Sequence, residues 1–283
     1  MTQLAKLPED LVFYTQITME AAEDPSFLEA MSAAHIRGAL VGVESVTAEG
    51  LKDVYKGFNL SGEHLVERLR LFREHGVHVL GSFIFGLPSD RQETFDLTVA
   101  LAERADITFA QFVLLTPFPG TVDFDRWKKE DGRADTTVDG VSITQHWLIP
   151  EDRRPKVFSA HPTLSAEEIR VRTQGAWDRF YSWRRVWARS RVVESARARV
   201  AFVLVSKMYR QMYANTGIAT DSARVARSTR WAKWLGLAVR RLFLGRPMPE
   251  LAMPEGLLSP LSVPAGVISL ASLRAAPPPS GAE

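Results

Sequence analysis

Short apolar runs alternate with amphipathic stretches through the first 125 residues of the chain. The apolar runs are rich in aromatic and β-branched residues, which predicts strands at 11–20, 38–45, 77–88 and 109–121. The stretches between them repeat apolar residues at helical spacing, which predicts helices at 24–35, 61–76 and 90–105. Because near-continuous apolar strands separated by helices are typical of a parallel sheet covered on both faces, we expect an α/β fold.

Local signals mark the ends of two predicted helices. Asp24 precedes Pro25, the arrangement of an N-cap followed by proline at the first helical position. Ser61 is expected to cap the second helix and Gly76 to close it. Four strands within such a short span fit part of a barrel or of a doubly wound sheet. We expect a partial (β/α) barrel of about four parallel strands.

Polar residues lie at the carboxyl ends of the predicted strands. Glu44 and Ser45 follow the apolar run "GALVGV", and Gly86 and Thr116 end the next two strands. In both architectures ligands bind at the carboxyl ends of the strands. Glu44 therefore need not be buried in a core, because it can face a ligand.

The second half of the chain has a different pattern. Residues 122–163 carry scattered prolines and glycines and are expected to be irregular, whereas helices are expected at 164–190, 195–215 and 222–245. The segment after these helices is rich in Pro, Ala, Gly and Ser. The chain is therefore divided into a partial barrel (1–125), an irregular connector (126–163), a basic helical extension (164–246) and a flexible tail (247–283).

Composition excludes several classes of site. The 283 residues contain no cysteine, so there is no disulfide framework, thiolate nucleophile or thiolate metal ligand within this chain. The six histidines are scattered, and a metal site is not expected. No secretory signal is visible, and no apolar stretch approaches the ~18 residues of a membrane span. We expect a cytoplasmic protein.

Four segments at the strand exits occur in a fixed order: "QITME", "GALVGVES", "GSFIFGLPSDRQET" and "LLTPFPGT". This set resembles the second half of a radical S-adenosylmethionine enzyme core. It is most similar to the subgroup with a cobalamin-binding domain, such as the hopanoid methylases and the anaerobic porphyrin cyclases. The resemblance covers residues 8–190. It implies radical methylation, or a related conversion at an unreactive carbon of a lipid-like substrate.

The resemblance also implies which residues contact S-adenosylmethionine. Glu44 and Ser45 match the family's Glu-Ser position, which contacts the ribose or the methionine end of the cofactor. A carboxylate can accept hydrogen bonds from ribose hydroxyls or from an ammonium group. Phe83, Ile84 and Gly86 match the strand that lies against the adenine. The alternative for Phe83 and Ile84 is a place in the core.

Further residues follow from the same resemblance. Gly81 allows a ligand or another backbone to approach the strand closely. Gln16 and Gln111 are candidates for the pocket floor, and Thr116 precedes a Pro-Phe-Pro-Gly-Thr turn. The alternative for Glu44 is an ion pair with a neighbouring arginine such as Arg37.

The chain departs from the family in one decisive respect. The family holds a 4Fe-4S cluster with a three-cysteine loop, and this sequence has no cysteine. The ligands for the cluster and for cobalamin are therefore absent here, and the chain alone is expected to be inactive. We expect a fragment whose missing half is supplied by an upstream chain. Half a barrel would leave two open sheet edges and an exposed apolar face.

Charge is unevenly distributed. The whole chain has a net charge of +2, yet residues 151–246 carry 21 Lys/Arg against 7 Asp/Glu. Three interpretations are open for this basic helical region. It could pack on the barrel, dock on an anionic membrane through residues 222–245, or bind nucleic acid. No nucleic-acid motif is present, so that interpretation is the weakest. Peripheral membrane association would qualify the cytoplasmic location.

Two rival functions remain. The chain could be a non-catalytic interaction module that docks on a membrane surface or a partner subunit. It could also be a complete α/β enzyme of a different kind, in which the sheet is closed by its own strands.

Overall fold

Four strands form one parallel sheet in the order β1-β2-β3-β4, so each strand lies beside its predecessor in the chain. They are β1 (Phe13–Ile17), β2 (Ile36–Glu44), β3 (His78–Phe85) and β4 (Phe109–Leu114). The predicted α/β fold with four parallel strands is confirmed. The strands are shorter than predicted because their polar ends turn out of the sheet.

The computed structural model describes residues 1–57, 62–130, 136–150 and 153–215. All of these lie in the first of the two units into which the chain divides, Met1–Val239. The second unit, Arg240–Glu283, lies outside the described residues. The predicted helix at 222–245, its proposed membrane contact and the predicted tail also lie outside them.

Helices connect the strands on one side of the sheet and continue beyond it. They are α1 (Pro25–Ala33), α2 (Ala48–Asp53), α3 (Glu63–Glu74), α4 (Gln92–Arg104), α5 (Val122–Glu130), α6 (Ala166–Phe180), α7 (Trp183–Arg189) and α8 (Ala196–Asn215). Short 3-10 helices lie at Leu4–Lys6, Met19–Glu23, Ile143–Leu148 and Ser190–Val192. None of the helices in the described ranges is long and apolar enough to cross a bilayer.

The helix ends test the predicted caps. Asp24 accepts a hydrogen bond from the Phe27 backbone N at 3.0 Å, as an N-cap does. Gly76 has a φ of +76° after the end of α3, which confirms that it closes this helix. The prediction that Ser61 caps α3 is wrong, because the N-cap residue is Gly62.

The outer face of the sheet packs against the helices and forms the core. Alternate residues of β2, β3 and β4 point to this face and are buried: Ala39, Val41, Val43, Val79, Phe83, Phe85, Ala110, Phe112 and Leu114. Phe112 is the centre of this packing. Its ring lies 5.6 Å from the rings of Phe83 and Trp177 and 5.9 Å from that of Phe180. Aromatic burial of this kind supplies much of a domain's stability.

The outer edge of β4 is covered by α6 and the residue after it. Trp177 Nε1 donates to the Phe112 carbonyl at 2.8 Å. The Tyr181 hydroxyl donates to the Ala110 carbonyl at 2.7 Å and accepts from the Ala110 N–H at 3.0 Å. The expectation of two open edges is therefore wrong for β4. The outer edge of β1 pairs with no strand among the described residues.

Helix α8 reaches the inner face of the sheet. Phe109 packs against Phe202 and Tyr209, with ring centroids 5.8 and 5.5 Å apart. Gln111 donates to Ser82 Oγ at 2.8 Å and accepts from the Tyr213 hydroxyl. The apolar inner face is therefore partly covered, and Gln111 bonds to the helix that covers it.

The segment 122–163 contains more structure than predicted. Helix α5 is followed by a two-stranded hairpin, β5 (Thr137–Val138) and β6 (Val141–Ser142), and then by a 3-10 helix. A second small apolar cluster holds this segment together: Phe124, Trp127, Ile143 and Phe158. The expectation of an irregular segment is wrong for these residues.

Candidate functional site

The carboxyl ends of β2, β3 and β4 surround a cavity of about 560 Å³. Four residues expected to contact a ligand line it: Glu44, Ile84, Gly86 and Thr116. This volume is typical of small-molecule sites, which span roughly 300–1,000 Å³. The location matches the rule that ligands bind beyond the carboxyl ends of parallel strands.

Glu44 ends β2 in an unusual backbone conformation. Its φ is +67°, in the left-handed region. The β2–β3 register shifts between Gly42 and Glu44, so Val43 is an extra residue in the strand. A left-handed conformation costs a residue with a side chain roughly 1–2 kcal/mol. Bulges and strained residues are frequent beside functional sites, where they re-aim a side chain.

Lys56 is the ion-pair partner of Glu44. Its Nζ donates to Glu44 Oε1 at 2.8 Å, and the two side chains are 28% and 17% exposed. Arg37, the partner suggested by the sequence, donates to Ser32 instead. Lys56 follows α2 in a non-regular segment, so no periodic pattern marks it as a site residue.

Gly42 leaves room for this ion pair. A Cβ atom at this position would lie 2.5 Å from Glu44 Oε1 and 3.1 Å from Lys56 Nζ. Both distances are shorter than ordinary van der Waals contact, so a side chain here would displace the pair. One of the two glycines that interrupt the apolar run of β2 is therefore explained by the pocket.

A buried carboxylate holds the turn after β3. Asp90 Oδ2 accepts hydrogen bonds from the backbone N–H groups of Gly86 and Leu87, at 2.8 and 3.0 Å. Asp90 is 1% exposed, and burial raises the pKa of its carboxyl to about 6. Gly86 has a φ of +91°, which glycine adopts readily. Asp90 thus fixes the backbone that lines one side of the cavity.

His161 fastens the same turn from outside. Its Nδ1 accepts from the backbone N–H groups of Thr163 and Leu164, at 3.1 and 2.9 Å. The ring proton must then be on Nε2, which donates to the Leu87 carbonyl at 2.9 Å. The turn after β3 is therefore tied to the start of α6.

Residues after β4 form the opposite wall of the cavity. Phe118, Thr121 and Trp127 line it, and the His146 ring lies 3.3 Å through Nε2 from the Pro117 carbonyl. Sequence analysis missed this wall by assigning it to a connector. A signal was present, because an acidic first turn and a basic last turn frame the apolar residues of α5.

Four other candidate residues do not line the cavity. Ser45 is 3% exposed, and its Oγ accepts from the Thr47 N–H at 3.3 Å near the start of α2. Phe83 is fully buried in the core, its alternative interpretation. A Cβ at Gly81 would lie 2.9 Å from a methyl group of Ile107, which indicates tight side-chain packing. Gln16 is exposed on β1.

A larger cavity of about 770 Å³ lies at the opposite end of the sheet. Its charged residues are mostly joined to one another, since Arg73 pairs with Asp106 at 2.9 Å and Arg185 pairs with Glu103. It lies at the amino ends of β3 and β4, where parallel sheets seldom bind ligands. We therefore place the candidate site at the carboxyl ends.

The residues at the site do not fit a metal cluster. The chain has no cysteine, and the described residues include no group of three or more His, Cys, Asp or Glu that could hold a metal ion. They do fit a small polar organic molecule, because a carboxylate and an ammonium lie beside apolar strand residues.

Comparison with curated proteins places the chain beside methyltransferases. No protein-family model matches it. It is 32% identical over 117 residues to an uncharacterized methyltransferase of Pyrococcus horikoshii, a match that covers 38% of this chain and 24% of the relative.

Two of the similar proteins have named activities. Hopanoid C-2 methylase of Rhodopseudomonas palustris is 27% identical over 143 residues, covering 49% of this chain and 26% of the relative. Bacteriochlorophyllide d C-12(1)-methyltransferase of Chlorobaculum tepidum is 32% identical over 114 residues, covering 40% and 24%. The predicted resemblance to the hopanoid methylase group is confirmed. The chain spans about a quarter of the length of these relatives.

One solved structure with a related chain is the radical S-adenosylmethionine methyltransferase TsrM of Kitasatospora setae, which contains cobalamin and a 4Fe-4S cluster. It is 24% identical, with a TM-score of 0.36, and the match covers 46% of this chain and 25% of that one.

Proposed function

We propose that the cavity at the carboxyl ends of β2, β3 and β4 binds S-adenosylmethionine, as part of a methyltransferase. The observation that carries this proposal is the convergence of Glu44, Ile84, Gly86 and Thr116 on one cavity of about 560 Å³. The similarity to methyltransferases supports the same class of reaction. S-adenosylmethionine supplies an activated methyl group when it is bound.

Glu44 is proposed to hold the ribose of the cofactor. A carboxylate accepts hydrogen bonds from the two neighbouring hydroxyls of a ribose. Lys56 already places one positive charge 2.8 Å from Glu44 Oε1, so the ammonium of the methionine end would meet repulsion there. Neutral hydroxyl donors meet no such repulsion. Lys56 then keeps Glu44 ionised and oriented.

The strand exits are proposed to hold the adenine. Ile84 and Val113 present apolar side chains at the cavity, and Gly86 presents bare backbone. A flat apolar base packs well against such a surface and leaves its polar edge for backbone groups. Thr116, whose hydroxyl donates to the Leu114 carbonyl at 3.0 Å, closes this side.

The iron-sulfur cluster and cobalamin of the resembling family are not assigned to residues of this chain. The donor atoms for a cluster are absent from the sequence, so no step of a reaction is placed on one here. We propose that residues outside these 283 supply the cluster. Without them the chain binds the cofactor but does not turn it over.

The outer edge of β1 is the proposed place for the missing half. The Phe13 N–H bonds inward to the His35 carbonyl, so the N–H groups of Tyr14 and Gln16 point outward by alternation. A further parallel strand could bond to them. Gln16→Pro, which removes one outward N–H, should abolish co-purification with a cluster-bearing half, whereas Gln16→Ala should not. Equal recovery of both variants would contradict this arrangement.

Calorimetry with S-adenosylmethionine tests the proposed site. Glu44→Gln should weaken binding roughly tenfold to a hundredfold, because a hydrogen bond to a charged acceptor is worth about 1.5–3 kcal/mol. Glu20→Gln makes the same chemical change at an exposed position that does not line the cavity, and should have no effect. No binding by the unaltered chain would favour the non-catalytic module instead.

A second ligand distinguishes the ribose from the ammonium. Methylthioadenosine keeps the ribose but lacks the amino acid end of the cofactor. If Glu44 holds the ribose, Glu44→Gln should weaken methylthioadenosine by the same factor as S-adenosylmethionine. If the substitution leaves methylthioadenosine binding unchanged, Glu44 holds the ammonium and our assignment is wrong.

A further inference from the structure

Two tryptophans of α7 are largely exposed to solvent. Trp183 is 66% exposed and Trp187 is 52% exposed, whereas Trp177 of α6 is fully buried. Their spacing of four residues puts both on one face of the helix. Large aromatic side chains grouped on a surface mark an interaction site more often than a chance exposure.

Each exposed ring lies against a cation of α8. Lys207 Nζ is 4.4 Å from the ring centroid of Trp183, and Arg199 Cζ is 4.6 Å from that of Trp187. Residues 181–215 carry eight Lys/Arg against a single Asp/Glu, Glu194. The surface is therefore both aromatic and strongly positive.

The outward side of α8 is also apolar. Val200, Val205 and Met212 are 48%, 44% and 52% exposed, although the same helix buries Phe202 and Val203 on its other side. A helix that packs on a protein core usually keeps polar residues outward. Here apolar side chains point in both directions.

We propose that α7 and α8 dock on the surface of an anionic phospholipid membrane. Tryptophan favours the headgroup level, where its ring is apolar and its N–H is wet. Lysine and arginine are attracted to anionic headgroups and extend their charged ends to them. Exposed valine and methionine fit the acyl boundary but have no counterpart in a nucleic acid. This surface is separate from the cofactor pocket and does not depend on it.

Vesicle co-sedimentation with the full chain tests the proposal. The chain should bind vesicles of phosphatidylcholine with phosphatidylglycerol and should not bind pure phosphatidylcholine. Trp183→Ala/Trp187→Ala should weaken binding about tenfold or more, because both rings leave the interface. Trp147→Ala is the matched control. Trp147 is 45% exposed on the 3-10 helix far along the chain, and its loss should leave binding unchanged.

A charge arm separates attraction from simple stickiness. Arg184 and Arg191 are exposed, and replacing both with Gln should weaken binding at low salt by about fivefold for each arginine. Binding should fade as salt rises to ~1 M, where charges are screened within ~3 Å. Equal binding by the tryptophan variant and the unaltered chain would overturn the proposal.

Other occupants of the surface would give different outcomes. Tighter binding to single-stranded DNA than to the anionic vesicles would assign the surface to a nucleic acid and overturn the proposal. A concentration-dependent dimer that the double tryptophan variant dissolves, without vesicle binding, would assign it to a second copy of the chain and overturn it equally.

Discussion

The two faces of the sheet are built from the same three strands but carry different burdens. The outer face presents fully buried apolar residues from β2, β3 and β4 to the helices. The inner face carries Glu44, Ser82, Ile84 and Gln111, and its carboxyl end opens into the cavity. Apolar burial stabilises the first face, while the second keeps charges, a bulge and left-handed backbone. Stability and ligand binding should therefore respond to different substitutions.

The largest effect is expected on the outer face. Trp177→Ala removes a fully buried ring that also donates to the Phe112 carbonyl at 2.8 Å. Its free energy of unfolding should fall by roughly 3–5 kcal/mol, measured by urea unfolding. Trp183→Ala, at a 66% exposed position, should change it by no more than about 0.5 kcal/mol. Similar losses for both would show that the faces are not energetically distinct.

The next effect is a pH dependence at the cavity. Burial raises the pKa of Asp90 from 3.8 to about 6 in the folded chain. The folded state then holds this proton more tightly than the unfolded state. The free energy of unfolding should therefore fall by about 3 kcal/mol as pH rises from 4 to 7.

Asp90→Asn isolates this contribution, because an amide oxygen can still accept from the Gly86 and Leu87 N–H groups. Urea titrations across pH should lose the contribution of Asp90 in this variant. Asp10→Asn, an exposed control, should retain it. An unchanged slope in Asp90→Asn would contradict the assigned role.

A smaller effect tests the strained end of β2. Glu44→Ala and Glu44→Gly both lose the ion pair with Lys56, but only alanine retains the cost of a φ of +67°. Glu44→Gly should therefore be the more stable variant by about 1 kcal/mol. At Glu49, inside α2, the order should reverse, because glycine weakens a helix. The same order at both positions would remove the argument for strain at Glu44.

The smallest expected effect on stability concerns Gly42. In Gly42→Ala the new methyl group meets only the flexible ends of Glu44 and Lys56, so unfolding should change by less than about 1 kcal/mol. The ion pair is displaced, and S-adenosylmethionine should bind several-fold more weakly in calorimetry. Gly175→Ala, where nothing lies within 4 Å, should leave binding unchanged. Normal affinity in Gly42→Ala would separate the ion pair from binding.

Periodicity predicted the elements well but their contacts poorly. The four strands, and the helices with clear caps such as Asp24, followed from local pattern. The covering of β4 by Trp177 and Tyr181 did not, because a side chain bonding to a distant backbone leaves no periodic trace. The wall formed by α5 was missed because prolines and glycines on both sides suggested a loop.

The sequence by itself determined the parallel sheet and the positions of Glu44, Ile84, Gly86 and Thr116 at strand exits, since alternation and strand ends are local properties. Only the tertiary structure decided that Lys56 pairs with Glu44, that Asp90 and His161 hold the turn after β3, and that Phe83 belongs to the core. These choices depend on which surfaces meet when distant segments pack, and a linear pattern does not encode that distance.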